Sequence, residues 1–342
     1  MHDRPLLLLA VFLALATNQV LAADAAFSKD GHFVYLLDYR TPQAVARVIV
    51  VDVDKQAVSE LDFGKQTNRQ QIRGLGVSNA GHLLFTTEQA AWAYHFEKKS
   101  CAKLAVPPKD ARFLDLAYNR KNSSLLFSTR IGSGPPFEGG ALILERDGNA
   151  PVPMWMRRVG FLTCMAFTPD GDLFFGTRGD LWHGTVQKGD PGDPRPFWLE
   201  GVRSAPLATL ETSEGTPTET GVFQIAVAGT KLYVHLHRIG GSGTGNVIRL
   251  TRPPETTVDA EDELPHRLAM YTQAISSVEI LAENGTYSYL CASPDGRRVF
   301  FRGAAKPENE DKPYQFYLVE DNGQPRLLNI ELPARPLAAA HE

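Results

Sequence analysis

A small residue recurs at one fixed place before a short polar turn in six separate stretches of this chain. An apolar run follows the turn each time, and three of the turns have nearly the same sequence. Self-similarity at a long period marks a repeat architecture in which each unit is one supersecondary element. The six small residues are Ala26, Gly76, Ala117, Ala166, Ala226 and Cys291, and the three related turns are Ser28-Lys29-Asp30-Gly31, Thr168-Pro169-Asp170-Gly171 and Ser293-Pro294-Asp295-Gly296.

Each repeat predicts a unit of up to four β-strands. The first strand carries the small residue, the second follows the turn, and a third follows in most units. Second strands are predicted at 33–37, 83–87, 125–129, 173–177, 232–237 and 299–301, and fainter fourth strands at 57–63, 267–272 and 326–332. Four strands recurring at roughly 40 to 60 residues is the pattern of a propeller blade.

Several of these strands are continuous apolar runs, such as Val48-Ile49-Val50-Val51 and Val299-Phe300-Phe301. A sheet covered on both faces needs such runs, and each propeller blade is covered by two neighbours. The sequence therefore predicts an all-β protein, a single β-propeller of six four-stranded blades, with seven blades as the alternative. The stretches 200–220 and 253–285 fit the repeat poorly and are predicted to be surface loops, with room in either for a seventh blade.

Two stretches of the repeat resemble a known family. Phe167-Thr168-Pro169-Asp170-Gly171-Asp172-Leu173-Phe174-Phe175 and Ala292-Ser293-Pro294-Asp295-Gly296-Arg297-Arg298-Val299-Phe300-Phe301 are similar to the TolB-like and WD40-like propeller repeat. The resemblance covers about half of the chain. It implies the blade and no particular activity, because one fold hosts many functions. Such families include periplasmic scaffolds, non-catalytic domains of peptidases, and enzymes acting on lactones or sugars.

The first 22 residues are predicted to be a signal peptide. His2 and Arg4 precede an apolar run from Leu6 to Ala16, and small residues near Ala22 suit a signal peptidase. The run is shorter than the ~20 residues needed to span a bilayer. We therefore expect cleavage after Ala22, no stable membrane insertion, and a periplasmic or extracellular location. The propeller is expected at 23–333 and a disordered tail at 334–342.

The charge balance argues against nucleic acid as a partner. The formal net charge is -4, whereas phosphate binding needs a clustered basic surface. The chain has three cysteines, Cys101, Cys164 and Cys291, so at least one of them is unpaired. We expect a monomer whose partner is another protein, an anionic small molecule or an anionic saccharide.

Two rings of residues are predicted on one face of the propeller. The loops before each first strand and after each second strand emerge on this face, which we call the entry face; the opposite face, with the Asp-Gly turns, is the turn face. The first ring lies two residues before the small residues and contains Asp24, Gly74, Asp115, Cys164, Gln224 and Tyr289. The second ring follows the second strands and contains Asp38, Glu88, Arg130, Arg178 and Arg238.

The second ring indicates an anion-binding site, because the planar fork of arginine binds two oxygens of a carboxylate or phosphate at once. We therefore predict that Arg130, Arg178 and Arg238 bind an anionic ligand, with Asp38 and Gln224 as further contacts. The alternative is that these arginines form salt bridges to loop acids between blades.

Two catalytic alternatives remain open alongside simple binding. An exported hydrolase or lyase on an anionic small molecule or saccharide would use Asp115, Glu88 or His237 for proton transfer. A metal-dependent, lactonase-like enzyme would use a cluster of Asp24, Asp115 and Gln224. His235 and His237 point to one face of a strand, but the sequence provides no third ligand for zinc. We therefore predict no metal site, and the sequence identifies no cofactor.

Overall fold

A computed structural model of the chain describes residues 24–38, 46–131, 138–146, 150–157, 162, 164–176, 181–189, 197–205, 220–238, 245–251, 279–285, 288–303 and 315–332. The described residues form six four-stranded blades in chain order. Blade 1 contains β1 (Ala25–Phe27), β2 (Phe33–Leu37), β3 (Arg47–Asp52) and β4 (Ala57–Asp62), and blade 2 contains β5 (Ile72–Val77), β6 (Leu83–Thr87), β7 (Ala91–His95) and β8 (Ser100–Ala105). Blade 3 contains β9 (Ala111–Asn119), β10 (Ser124–Ile131), β11 (Glu138–Leu144) and β12 (Val152–Arg157), and blade 4 contains β13 (Cys164–Phe167), β14 (Asp172–Gly176), β15 (Leu181–Lys188) and β16 (Phe197–Ala205). Blade 5 contains β17 (Thr220–Ala228), β18 (Lys231–Arg238), β19 (Gly245–Thr251) and β20 (Glu279–Gly285), and blade 6 contains β21 (Ser288–Ala292), β22 (Arg298–Gly303), β23 (Gln315–Glu320) and β24 (Arg326–Leu328).

The prediction of six blades is confirmed. The second strands begin and end within two residues of the predicted positions in every blade. The fourth strands were predicted less well: β8, β12 and β16 were missed, and the fourth strand of blade 5 lies at Glu279–Gly285. The predicted strand at 267–272 lies outside the described residues. Parts of the two predicted loops form strands instead: residues 200–205 belong to β16 and residues 279–285 to β20.

The core consists of six apolar clusters, one at each seam between neighbouring blades. The second strands lie between two such clusters, so β6 is buried along its whole length. Side chains such as Phe85, Phe127, Phe175 and Phe300 are 0% exposed. Continuous apolar runs are therefore what both faces of these strands require.

The Asp-Gly turns have a structural role. The backbone φ is +74° at Gly31, +91° at Gly171 and +70° at Gly296, a region that residues with a side chain rarely adopt. In the last of these turns Asp295 accepts hydrogen bonds from the Ser293 hydroxyl at 2.5 Å and the Arg297 amide at 3.1 Å. The aspartate therefore stabilises its own turn.

The ring closes without exchange of a strand between the two ends of the described chain. Blade 1 comes entirely from the first part of the chain and blade 6 from the last. Their seam is filled by an apolar cluster that includes Leu36, Ile49 and Phe316. On the turn face, Arg298 of blade 6 donates to the Gly31 carbonyl at 3.0 Å. It also forms a salt bridge with Asp54 of blade 1 at 3.0 Å.

Blades 3 and 4 are joined at their outer edges. Strands β12 and β16 pair in parallel, with Met154 opposite Phe197 and Met156 opposite Leu199, so the two blades form one eight-stranded sheet. This pairing satisfies two edges that would otherwise present open backbone groups. The sequence alone does not indicate it.

Candidate functional site

The six first-ring residues lie at one level of the central channel, near the entry face. Asp24 directly precedes the first strand of its blade, Cys164 begins it, and the other four lie within theirs. All six are buried. The exposed fractions are 3% for Asp24, Asp115 and Gln224, 1% for Cys164 and 2% for Tyr289. The polar groups of this ring are therefore screened from bulk water.

β-Bulges set the direction of several of these side chains. The pairing of first and second strands shifts register between Ile72 and Gly74 in blade 2, between Val222 and Gln224 in blade 5, and after Ser288 in blade 6. A similar shift in blade 3 lies beside Asp115. A bulge inserts one extra residue and re-aims the side chains beside it, and such features are frequent near functional sites.

Asp24 is the centre of a buried hydrogen-bond network that links three blades. Its Oδ1 accepts from Gln224 Nε2 at 2.6 Å and from the Tyr289 amide at 3.0 Å. The other end of the Gln224 amide accepts from the Leu290 amide at 3.2 Å. Blade 6 lies between blades 5 and 1 in the ring. The Asp24–Gln224 bond therefore runs past the first strand of blade 6 and joins the blades on either side of it.

Burial raises the pKa of Asp24 from 3.8 to about 7, against the opposing effects of its hydrogen bonds from Tyr289 and Gln224 and the charge of Arg302. A carboxyl group removed from water favours its neutral form. Asp24 is therefore a buried acid that titrates near neutral pH, where a proton-transfer group is most effective. Burial also raises the pKa of the neighbouring Cys291 thiol well above its ordinary value.

Tyr289 has an unusual backbone for an aromatic residue. Its φ is +64°, and its hydroxyl donates to the Leu37 carbonyl of blade 1 at 2.7 Å. The guanidinium carbon of Arg302 lies 5.8 Å from the centre of its ring, within cation–π range. A non-glycine residue held in this conformation marks a place where the surroundings impose the geometry. Tyr289 thus connects the hydrogen-bond network of Asp24 to the seam between blades 1 and 6, through its amide to Asp24 and through its hydroxyl to Leu37.

Asp115 occupies the same level on the seam between blades 2 and 3. Its Oδ1 accepts from the Leu116 amide at 2.7 Å. A Cβ added to Gly74 would lie 2.7 Å from that oxygen and 3.2 Å from the Asp115 Cα. A side chain at position 74 is therefore incompatible with this close approach, which explains why the first ring has a glycine there.

Charged residues form a cluster at the entry face of blades 2 and 3. Glu88 pairs through one oxygen with Arg73 at 2.5 Å and through the other with Arg112 at 2.8 Å. Arg130 lies directly opposite Arg112 in the ladder of β9 and β10. We call Arg73, Glu88, Arg112 and Arg130 the arginine cluster; its three guanidinium groups and one carboxylate carry a formal charge of +2.

The structure brings together only part of the predicted second ring. Glu88 and Arg130 lie in the arginine cluster, and Asp38 is buried at 6% exposure where β2 ends. Arg178 lies outside the described residues. Arg238 is the last residue of β18, but its side chain and that of His237 are not described. The prediction that Arg130, Arg178 and Arg238 share one ligand therefore stays a prediction.

Arg73 and Arg112 were missed in the sequence. Both lie at the start of a first strand, one and three residues before the first-ring positions 74 and 115. The repeat does include a usable pattern, because an arginine occupies a comparable place in two consecutive units. Only the structure shows that both side chains contact the same carboxylate.

Metal ligands are not grouped in the described part of the chain. No set of three or more His, Cys, Asp or Glu side chains there is close enough to hold an ion. His235 is buried beside Phe223, with ring centres 6.1 Å apart. None of Cys101, Cys164 and Cys291 forms a disulfide bond. In the same described ranges, no helix has the length and apolar character to cross a membrane.

Comparison with known proteins identifies the fold. No protein-family model matches the chain, and no curated protein matches its sequence. Among solved structures, TolB from Acinetobacter baumannii is 15% identical, with a TM-score of 0.54 over 93% of this chain and 66% of that chain. A gluconolactonase from Xanthomonas campestris is 14% identical, with a TM-score of 0.53 over 83% of both chains. An oligogalacturonate lyase in complex with manganese is 10% identical, with a TM-score of 0.50 over 90% of this chain and 76% of that chain. The likeness establishes that this chain has the β-propeller fold found in TolB and in gluconolactonases.

Proposed function

We propose that this protein binds an anionic ligand at its entry face, with the arginine cluster as the charged part of the site. The observation that carries this proposal is the position of Arg112 directly opposite Arg130 on neighbouring strands. Like charges in directly opposite positions destabilise a sheet. Glu88 offsets part of this repulsion through Arg112 at 2.8 Å. A ligand carboxylate or phosphate between Arg112 and Arg130 would be attracted by both guanidinium groups.

An anionic saccharide is the ligand class that we favour. Arg73, Arg112 and Arg130 each lie one residue from the entry-face end of a strand. A concave site with charges of one sign attracts oppositely charged ligands. Guanidinium groups bind carboxylates through two parallel hydrogen bonds. One solved neighbour with this fold is an enzyme for oligogalacturonate, which is such a saccharide. Binding without catalysis is favoured because Glu88, one of the predicted proton-transfer groups, is paired with two arginines.

Titration calorimetry with trigalacturonate tests this proposal, with neutral maltotriose as the matched ligand. We expect binding of trigalacturonate only, and a loss of about 10- to 100-fold in affinity for Arg130→Ala or Arg112→Ala, from charge-assisted hydrogen bonds of about 1.5 to 3 kcal/mol. Glu88→Gln should tighten binding, because it removes the carboxylate that competes for Arg112. The exposed Arg146→Ala is the control and should bind as the unmodified protein does. Equal binding of both saccharides, or unchanged affinity in both arginine variants, would refute the proposal.

Catalysis is a second candidate function because one observation favours it specifically. Asp24 is a buried acid with a pKa of about 7 in the channel, and perturbed acids of this kind are concentrated in active sites. A hydrolase acting on a lactone would use such a group for proton transfer. The test is hydrolysis of gluconolactone above the spontaneous rate, with Asp24→Asn as the variant. The same rate for both proteins would exclude Asp24 from such a reaction.

We further propose that the protein is exported. The support is the apolar run from Leu6 to Ala16 and the small residues before Ala23. When the gene is expressed in a Gram-negative host, the periplasmic fraction should contain a chain whose N-terminal sequence begins at Ala23. A chain that keeps Met1 and remains in the cytoplasm would contradict this proposal.

A further inference from the structure

The central channel has a cavity between the first ring and the turn face, which we call the lower channel. Its volume is about 170 Å³. The cavity is surrounded by the first strands of all six blades, including the small residues Ala26, Gly76, Ala117, Ala166, Ala226 and Cys291. The first strand is the edge of its sheet in every blade, so one row of its backbone N–H and C=O groups faces the axis. The wall therefore offers hydrogen bonds as well as apolar contacts.

Arg120 brings a positive charge to this cavity. It follows β9 directly and lines the cavity near the turn face. Its Nη2 donates to the Val77 carbonyl at 3.2 Å, and its Nη1 donates to the Asn79 side-chain oxygen at 3.5 Å. Asn79 in turn donates to the Arg120 carbonyl at 2.8 Å, which fixes the pair. The guanidinium group is thus held at the cavity by neutral partners.

The charge of Arg120 has no acidic counterpart within the described ranges of the chain, since its contacts there are a carbonyl and an amide oxygen. Burial lowers the pKa of Arg120, but a guanidinium group remains charged at physiological pH. A partly desolvated charge without an opposite charge is unfavourable. An anion in the cavity would remove this deficit.

We propose that the lower channel is a second binding site, which takes a small hydroxy-carboxylate. Arg120 binds the carboxylate, and the inner edges of the first strands bind the hydroxyl group. The cavity has the volume of about six water molecules at ~30 Å³ each, which is room enough for one lactate ion. The site is separate from the arginine cluster, which lies at the opposite end of β9, and it does not depend on the function proposed for the entry face.

Lactate and lactamide are the probes that test this site on the full, unmodified chain, because they differ chiefly in the charge that Arg120 would recognise. Calorimetric titration should give at least tenfold tighter binding of lactate. Arg120→Gln should abolish the preference, and Arg120→Lys should keep part of it. The exposed Arg146→Ala, which lies outside both proposed sites, is the control and should bind lactate as the unmodified chain does.

The inference would be overturned by absence of lactate binding, by equal affinity for lactate and lactamide, or by unchanged lactate affinity in Arg120→Gln. The comparison of the two probes needs no variant, so equal affinities would overturn the inference even if Arg120→Gln does not fold. Loss of lactate binding in Arg130→Ala alone would move the site to the entry face and refute the assignment to Arg120.

Discussion

Asp24 is the buried carboxyl group through which the first ring should control stability against pH. Replacement by asparagine keeps the oxygen that accepts from Gln224 and from the Tyr289 amide, and it removes the ability to ionise. The size of the side chain is nearly unchanged. The variant Asp24→Asn therefore isolates the effect of the charge from the effect of packing.

The expected magnitude follows from the pKa of Asp24. In the unfolded chain the group releases its proton near 3.8, whereas in the folded protein it does so at about 7. Between these values the folded state holds one more proton than the unfolded state, so the free energy of unfolding falls as pH rises. The slope is about 1.4 kcal/mol per pH unit, and the total loss is about 4 kcal/mol. The contribution is constant below pH 3.8 and again above pH 7.

Urea unfolding followed by tryptophan fluorescence, at one-unit steps from pH 4 to pH 8, measures this effect. The difference in free energy of unfolding between Asp24→Asn and the unmodified protein should increase by about 4 kcal/mol in favour of the variant across that range. Other titrating groups cancel in this difference. The exposed Asp110→Asn serves as the control and should run parallel to the unmodified protein. Parallel curves for Asp24→Asn as well would refute the reasoning.

Three further predictions concern stability. Gly296→Ala should destabilise the protein strongly, because the added Cβ would lie 2.5 Å from the Gly229 amide nitrogen. In Gly229→Ala the added Cβ meets no atom within 4 Å, so this variant should lose only about 1 to 2 kcal/mol from its positive φ. Thermal unfolding compares the two variants, and equal losses of stability would contradict the argument. Phe300→Ala should lose about 3 to 5 kcal/mol from a site with 0% exposure, and Leu327→Ala, which is 53% exposed, less than about 0.5 kcal/mol, as measured by urea unfolding. Arg298→Ala removes contacts across the seam of blades 1 and 6 and should lose about 1 to 3 kcal/mol in the same assay, whereas an unchanged midpoint would show that the apolar cluster alone closes the ring.

The inner strands of each blade could be predicted because their causes are local. The predicted second strands at 33–37 and 83–87 coincide with β2 and β6. The turn before each strand and the apolar run within it are adjacent in sequence, so the pattern is complete in one short window. The outer strand β8 lacks such a pattern, because three of its residues are exposed and only its last residue is buried. A strand with little burial shows little periodicity, so it was missed.

The sequence predicted which candidate site residues lie at one level of the channel, but it did not predict their contacts. A period of two along each first strand placed Asp24, Asp115 and Gln224 at one level, and all three are buried there. Arg73 and Arg112 were overlooked because their partner, Glu88, follows a different strand. Their importance depends on two salt bridges that join positions 15 and 24 residues apart.

Six small residues before six turns were enough to determine a propeller, because the crowding of inner strands and the conformation of a tight turn act within a few residues. The tertiary structure alone decided which charges meet. The bond from Asp24 to Gln224 joins residues 200 positions apart, and Arg120 reaches the channel against residues of blade 2. Such contacts depend on how neighbouring blades are seated and on where a bulge turns a side chain. The small-residue pattern thus determined the channel, and the packing of the blades determined the chemistry of its two ends.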